Sequence, residues 1–189
     1  MILKKASAKA VRYAIMNWHY SKSVPMVQVA YAVFNDKEEW CGVICYSIGA
    51  NNNIAKPYKL NQGEVIELVR VALNGKQEST SKALSISLKL IKKDAPLVKL
   101  IVSYADTEQG HAGTIYQATN WYFTESKKGS VPILNGKRVH KRTYSIVHGS
   151  YSGIEMVETK EKHKYIYPLD KSLIPLCKEL SKPYPKNKE

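Results

Sequence analysis

Residues 99–120 constrain the fold of this chain more than any other stretch. The apolar run at 100–102 is typical of a buried strand, and it breaks into a polar, glycine-containing cluster around Asp106 and His111. In α/β proteins, a strand that ends in reactive side chains and leads into a helix commonly builds a site. We therefore predict a strand, a helix over about 110–119, and a catalytic centre between them.

The rest of the chain supplies the other strands and helices of a mixed sheet. Ser7 can cap a first helix that ends near Trp18, and hydroxyl-bearing residues at 79–81 can start another. Apolar patterns predict further strands, the first of them half-buried, at 27–33, 40–48, 64–73 and 121–123, with a long ordered loop at 49–62. A hairpin followed by two strand–helix units predicts the α/β (α+β) class, with one domain whose mixed central sheet carries helices on both faces.

The last third of the chain changes character. An Asn-Gly pair at 135–136 is a strong hairpin-turn signal, and the Gly- and Ser-containing stretch at 149–153 is the best linker candidate. We predict a catalytic domain at 1–148, a basic extension at 149–182 packed on or near it, and a disordered tail at 183–189.

Positive charge indicates the class of partner. Lys and Arg number 29 against 16 Asp and Glu, which gives a formal net charge of +13. Such an excess favours a polyanionic partner, although a solvated, lysine-rich surface would give the same composition. Lys160, Lys162 and Lys164 alternate with other residues in a segment that also contains aromatics, and this pattern suits either phosphate contacts with base stacking or a lysine-protected edge strand.

Cysteine usage and apolar content favour a cytoplasmic protein. Cys41, Cys45 and Cys177 follow no zinc or redox spacing, so we expect buried free thiols in a reducing compartment. No apolar run reaches membrane-spanning length, and the amino terminus lacks the pattern of a signal peptide. We therefore predict a cytoplasmic protein with no membrane partner.

Arg70 and a cluster of hydroxyls each have two interpretations. Arg70 interrupts an apolar strand, where it needs either a carboxylate such as Glu67 or Asp106 or an anionic substrate. The hydroxyls either cap a helix or belong to a helix start that binds the pyrophosphate of a cofactor. These hydroxyl residues are Ser79, Thr80 and Ser81.

The acidic and imidazole groups after residue 105 also leave two roles open. Asp106, Glu108 and His111 can act in general acid–base chemistry or ligate iron or zinc. Alternatively, Asp106 caps the following helix and His111 lies in its first turn. A site role and a structural role are equally open for three aromatic candidates, Tyr116, His19 and Tyr20.

Several of these segments together resemble one family over roughly residues 19–144. The matching segments are Glu67-Leu68-Val69-Arg70, Ser81 at a helix start, Ser103-Tyr104-Ala105-Asp106-Thr107-x-x-Gly110-His111-x-Gly113-Thr114-Ile115-Tyr116-Gln117-Ala118-x-Asn120-Trp121, and Asn135-Gly136-Lys137-x-x-His140. They resemble the Mom DNA-modification proteins of bacteriophage Mu and their relatives. The later segment Lys164-Tyr165-Ile166-Tyr167-Pro168-Leu169-Asp170 is similar to phage-borne relatives.

The resemblance implies a divergent GCN5-related N-acetyltransferase (GNAT) fold. It implies that a methylcarbamoyl- or acetamido-type group is added to the N6 amino group of adenine, which protects phage DNA from host restriction. Acetyl-CoA or another acyl or aminoacyl donor, iron, and double-stranded DNA are the implied cofactors and partner, while the oligomeric state, homodimer included, stays open. One departure is the loop that usually cradles pyrophosphate, Arg/Gln-x-x-Gly-x-Gly/Ala, because this chain offers Gly75 alone there.

The resemblance also implies roles for individual residues. The catalytic group is Asp106, Tyr116, Tyr20 and His19, with Asp106 orienting or deprotonating the N6 amine of a flipped adenine. From the residues themselves we expect Arg70 and the helix start at Ser81, Thr80 and Ser79 to hold the donor, and His19, Asp106 and His111 to hold a metal. DNA is expected along Lys141, Arg142, Lys160, Lys162 and Lys164. The alternatives are an N-acetyltransferase acting on a small amine or protein, and a DNA-binding protein that has kept only the fold.

Overall fold

The fold is organised around one mixed sheet of eight strands in the computed structural model. The structure describes residues 1–49, 53–139 and 141–186, with the backbone alone at 142 and 143. The strands are β1 (Ile2–Lys5), β2 (Val29–Phe34), β3 (Trp40–Ser47), β4 (Val65–Leu73), β5 (Leu100–Asp106), β6 (Tyr122–Leu134), β7 (Lys137–Arg138) and β8 (Met156–Pro168). Their order across the sheet is β1-β2-β3-β4-β5-β8-β6-β7. In the described sheet β4 and β5 run parallel and the other neighbours antiparallel, so the predicted mixed sheet is confirmed.

Five α-helices and three 3₁₀ turns accompany the sheet in the described ranges. The helices are α1 (Ala8–Trp18), α2 (Thr80–Asp94), α3 (Thr114–Gln117), α4 (Lys141–His148) and α5 (Ile174–Leu180), and the turns are Lys56–Tyr58, Thr107–Gln109 and Lys171–Leu173. Ser7 and Ser79 cap α1 and α2, because each hydroxyl accepts a hydrogen bond from the backbone N–H three residues later, at 3.2 Å. Both predicted helix starts are confirmed.

Alternate residues of the central strands bury opposite faces of the sheet. On one face, Leu68 and Ile101 pack with Leu84 of α2. On the other face, Val102 packs with Cys177 of α5, while α1 covers β3 and β4. Helices on both faces, as predicted, therefore enclose the sheet.

The segment predicted as a basic extension is part of the sheet itself. β8 pairs with β5 through residues 162–168 and with β6 along most of its length. Tyr165 and Ile166 are fully buried, so this is an interior strand and not the lysine-protected edge strand considered above. The local sequence pattern of β8 could not reveal its interior position in the sheet, because strand order depends on pairing between residues far apart in the chain.

The predicted helix at 110–119 is wrong in length. Gly110 and Gly113 both have positive φ, +70° and +81°, so the chain cannot continue as a right-handed helix through them. A 3₁₀ turn therefore follows β5, and α3 begins only after Gly113.

Two strand predictions are also wrong in detail. The strand predicted at 121–123 is the thirteen-residue β6, because its polar residues pair with β8 beyond the core. The strand predicted as half-buried is β2, which is buried on both faces because helices cover both sides of the sheet.

The predicted disordered tail includes an ordered anchor. The Tyr184 hydroxyl donates to the backbone oxygen of Trp121 at 2.7 Å. Residues 187–189 of that tail, Asn51 and Asn52 of the predicted loop, and His140 of the family resemblance lie outside the described residues. Within the described ranges, none of the helices has the length and apolar content needed to cross a membrane.

Candidate functional site

A fork between β4 and β5 creates a cavity of about 320 Å³. The two strands pair as far as Leu68 and Ser103, and both continue beyond that point without pairing to each other. Val69 is an extra residue opposite β3, and such a bulge increases strand twist and helps the strands diverge. The fork therefore exposes two strand edges to whatever occupies the cavity.

Four parts of the chain line this cavity: the residues that follow α1, the diverging strands, the start of α2, and the loop into α3 together with the first residues of that helix. The polar and aromatic lining residues are His19, Tyr20, Arg70, Thr80, Tyr104, His111 and Tyr116. All but Tyr104 were candidates from the sequence. Four other candidates for the site, Ser79, Ser81, Asp106 and Glu108, are not among the lining residues.

Tyr116 closes the point of the fork. The Ser103 hydroxyl donates to the backbone oxygen of Leu68 at 2.9 Å, so the 2.8 Å contact between Ser103 and Tyr116 uses the tyrosine proton. Burial raises the pKa of Tyr116 to about 12. Tyr116 thus stays protonated at neutral pH and ties α3 to both strands.

His19 is a neutral imidazole with a defined tautomer. The backbone N–H of Ser21 donates to His19 Nδ1 at 3.1 Å, so the ring proton lies on Nε2. Burial, followed by the positive charge of Arg70, lowers the pKa of His19 to about 4. His19 can therefore offer an Nε2–H donor near neutral pH, but not a positive charge.

Tyr20 adds an aromatic face at the cavity. Its ring stacks on His19 with centroids 4.3 Å apart and meets His111 edge-on at 5.8 Å. Partial burial and then the charge of Asp106 raise the pKa of Tyr20. With 47% of its surface exposed, Tyr20 leaves one side open to a planar ligand.

Arg70 is held by backbone carbonyls. Its Nη1 donates to the Val69 oxygen at 2.7 Å, and Nη2 donates to the Ser23 oxygen at 3.2 Å. Neither predicted ion pair forms: in the described part of the chain, no carboxylate lies within ion-pair distance of this guanidinium. Arg70 consequently keeps its positive charge at the cavity.

The start of α2 contributes one of its three hydroxyls. Ser79 serves as the helix cap, and the Ser81 hydroxyl lies 3.0 Å from that of Ser79. Thr80 lines the cavity and accepts a hydrogen bond from Gln77 Nε2 at 3.1 Å. That bond leaves the Thr80 hydroxyl proton free to be donated to another group.

Asp106 adopts the capping role. Its Oδ1 accepts from the Glu108 backbone N–H at 3.0 Å, and its Oδ2 lies 3.6 Å from Lys162 Nζ. Glu108 in turn pairs with Arg138 at 2.8 Å, and this hydrogen bond lowers the pKa of the Glu108 carboxyl. The turn after β5 therefore uses both carboxylates to fix its own shape.

The predicted metal site does not form. Among residues 1–49, 53–139 and 141–186, no three His, Cys, Asp or Glu side chains come close enough to hold a metal ion. The carboxylate of Asp106 caps the turn, and His19 Nδ1 accepts from Ser21. The set of His19, Asp106 and His111 therefore does not fit iron.

Tyr104 is the lining residue that the sequence reasoning missed. It follows Ser103, the last residue of β5 that pairs with β4, and is 42% exposed in a strand whose other members are mostly buried. Burial of its hydroxyl raises the pKa of Tyr104. The available signal was an aromatic residue between Ser103 and Ala105, at the position where an apolar strand becomes polar.

The predicted DNA contacts fall into two groups. Lys162 pairs with Asp106, and Lys164 pairs with Glu125 at 3.2 Å with only 16% of its side chain exposed. Lys141 and Lys160 are exposed and form no ion pair within the described residues. The structure does not describe the side chain of Arg142, which is the remaining predicted DNA contact.

Comparison with known proteins identifies the family. Residues 1–186 match the Mom protein family. The chain belongs to the Mom family. The methylcarbamoylase mom of Escherichia phage Mu is 31% identical over 164 residues, which cover 82% of this chain and 67% of that protein. The resemblance read from the sequence is therefore confirmed.

Solved structures show that this Mom-family chain has the acetyltransferase fold. A Bacillus subtilis acetyltransferase in complex with CoA aligns with a TM-score of 0.52 at 10% identity, covering 88% of this chain and 97% of that one. A chimera of Vibrio cholerae spermidine N-acetyltransferase aligns with a TM-score of 0.53 at 9% identity, covering 92% and 99%. The predicted fold is confirmed, and the Mom-family chain is a transferase.

Proposed function

We propose that this protein transfers a methylcarbamoyl-type group to the N6 amino group of adenine in duplex DNA, and so protects phage DNA from restriction. The observation that carries the proposal is the fork cavity, in which a neutral histidine, an uncompensated arginine and three tyrosines converge in a Mom-family chain. The net charge of +13 supports a polyanionic substrate.

The cavity suits a base that has left the double helix. The N6 amine of adenine is engaged in base pairing within a duplex, so an enzyme must extrude the base to reach it. The exposed faces of Tyr20 and Tyr104 can stack on a purine, and His19 Nε2–H can donate to a ring nitrogen or carbonyl. A flipped adenine would lie against these three side chains.

The fork also suits an acyl-CoA donor. The unpaired edges of β4 and β5 can hydrogen-bond to the amides of an extended ligand. Thr80 at the start of α2 and the charge of Arg70 would then hold the anionic part of the donor. Such a thioester would have to carry the carbonyl of the transferred methylcarbamoyl group: N6 would attack this carbonyl, the C–S bond would break, and CoA would leave as the thiol with the N6 proton. Another acyl or aminoacyl donor would use the same edges.

Ser79 and Ser81 support this arrangement through the start of α2, which they order by capping. Gly75 remains the sole glycine of the expected pyrophosphate loop, so contact with the phosphates would depend on Thr80 and Arg70 more than in ordinary acetyltransferases. Tyr116 would hold the two strands at the geometry the donor needs.

Asp106 would act on the reaction from the rim of the cavity. Its charge bears on Tyr20, and it anchors the turn that leads to His111. In this arrangement Asp106 positions the aromatic wall, in contrast to the direct deprotonation of the N6 amine expected from the family resemblance.

The proposal is tested by expressing the chain with a plasmid and analysing the digested nucleosides by mass spectrometry. We expect a mass increment on deoxyadenosine, whose size defines the transferred group. An increment absent from deoxyadenosine but present on polyamines or proteins would establish the alternative acetyltransferase activity.

Two matched variants distinguish the effect of the Asp106 carboxylate from the effect of its ion pair with Lys162. Asp106→Asn keeps a capping acceptor but removes the charge, while Lys162→Gln removes only the partner of that charge. We expect Asp106→Asn to reduce adenine modification about tenfold and Lys162→Gln less than twofold, with DNA binding similar in both. Equal modification by both variants and wild type would eliminate any role for the carboxylate.

A further inference from the structure

A two-stranded arm projects from the sheet beside the cavity. β8 pairs with β5 only up to Lys162, so residues 156–161 pair with β6 alone and reach about 20 Å past β5, at roughly 3.3 Å per residue. We call residues 126–161, which include β7 and α4, the arm.

The arm is fixed to the rim of the cavity. Thr107 Oγ1 donates to the Glu161 oxygen at 2.6 Å, and Arg138 pairs with Glu108 at 2.8 Å. Both contacts join the arm to the 3₁₀ turn after β5, and the next residues, Gly110 and His111, line the cavity. The arm therefore rises from the edge at which the proposed substrate enters.

α4 presents an apolar pair to solvent from this arm. One side of the helix is supported by stacked rings, because Tyr144 lies 4.4 Å from His148 and 5.7 Å from Tyr151 between centroids. In the same helix, Ile146 is 78% exposed and Val147 is 68% exposed. Two adjacent, branched apolar side chains this exposed on a supported helix are suited to contact another molecule.

Charge identifies the occupant of this surface. The arm contains seven lysines and arginines against three glutamates. Lys141 begins α4 and is exposed, five residues before the apolar pair. A second copy of this chain would bring the same positive charge, whereas duplex DNA supplies phosphates for the lysines and base steps for the apolar side chains.

We propose that Ile146 and Val147 insert between base steps of the duplex next to the target adenine and stabilise the distorted DNA while the base is in the cavity. Apolar wedges of this kind unstack a step and kink the duplex. The inference rests on the proposed function, since it assigns the arm to the same flipped base.

The test compares wild type with the double variant Ile146→Ser/Val147→Ser on two duplexes. Both contain the adenine that wild type modifies; one is fully paired, and in the other that adenine is mismatched, so that much of the unpairing cost is already met. We expect the variant to modify the paired duplex about tenfold more slowly and the mismatched duplex within about twofold of wild type. The matched control is Leu97→Ser, an 80% exposed leucine that precedes β5 at the end of this strand away from the cavity, which should leave both rates unchanged.

Three results would overturn the inference. They are wild-type rates for the variant on the paired duplex, an equal loss on both duplexes, and a loss that follows a change in oligomeric state measured by light scattering. A duplex carrying the fluorescent base 2-aminopurine distinguishes failure of the wedge proposal from failure of the proposed function. Wild type should raise its fluorescence by unstacking it and the variant should not, whether or not any adenine is modified, and equal signals from both proteins would contradict the wedge.

Discussion

At the scale of single residues, His19 makes the stability of the fold depend on pH. Its pKa is about 4 in the folded protein and 6.5 when unperturbed, so the unfolded chain binds more protons between these values. Stability therefore falls as pH decreases from 6.5 to 4. Solvent near the ring screens the effect, and we expect a contribution of roughly 1 kcal/mol.

This pH dependence is tested with His19→Gln. Glutamine keeps a polar side chain but does not titrate, so the free energy of unfolding from urea titrations should change less between pH 7 and pH 4.5 than in wild type. The difference between the two proteins should be roughly 1 kcal/mol at pH 4.5 relative to pH 7. An identical pH dependence for variant and wild type would contradict the buried, neutral state of His19.

Residue chemistry explains which site predictions the sequence could support. Arg70 and Tyr116 were suspected because a charge or a polar ring in an apolar segment needs a partner, and both lie at the fork. The local pattern at Asp106 favoured a cap, and the family resemblance favoured a catalyst; the 3.0 Å bond from the Glu108 N–H shows that Asp106 caps the turn. Tyr104 was not predicted as a site residue because its exposure depends on where β5 stops pairing with β4, and the sequence does not show that point.

At the scale of elements, Gly113 fixes the loop between β5 and α3. A Cβ at this position would lie 2.4 Å from the Tyr165 ring, and its φ of +81° is strained for any other residue. Tyr165 cannot move away easily, because it is fully buried and donates to the Ala112 oxygen at 2.7 Å. The approach of this loop to β8 therefore requires glycine.

Gly113→Ala should destabilise the protein by about 3 kcal/mol, combining backbone strain with overpacking. Gly110→Ala is the matched control, since its φ is +70° but no atom lies within 4 Å of the added carbon. The control should cost only about 1 kcal/mol. Urea unfolding of both variants measures the difference, and equal losses would mean that Tyr165 does not restrict this loop.

Elements were predictable where local chemistry defines them. The caps Ser7 and Ser79 begin helices in the structure as their hydroxyls predicted, and the Asn-Gly turn joins β6 to β7. The predicted length of the helix after β5 was too great. The helical spacing of apolar residues around Ile115 was extended back over Gly110 and Gly113, and the positive φ of these glycines cannot be deduced from such spacing. Local signals thus identified the starts of these elements better than their extents.

At the scale of the whole molecule, β8 joins distant parts of the sheet. It lies between β5 and β6, so residues after 149 hold the cavity half of the sheet to the arm. A chain ending at residue 148 should lack a cooperative unfolding transition, because β6 would have no partner in the main sheet. A chain ending at residue 182 loses only the Tyr184 anchor and should remain folded.

Circular dichroism during urea titration distinguishes the two truncations. A cooperative transition in the shorter chain would mean that residues 1–148 form a domain by themselves, with 149–182 an accessory, as the sequence predicted. The sequence could not decide this question, because strand order is set by side-chain burial in the assembled sheet.

The insertion of β8 also has a consequence for synthesis. Ribosomes deliver β6 before β8, so the edge of β6 that pairs with β8 has no neighbour in the main sheet until residues 156–166 have been made. During that interval the loop between β5 and α3 is not yet packed and the arm is not yet anchored, because Gly113 and the 3₁₀ turn after β5 both contact β8. Modification of the genome would therefore begin only after the chain is complete through β8, and a stalled or cleaved product would be silent.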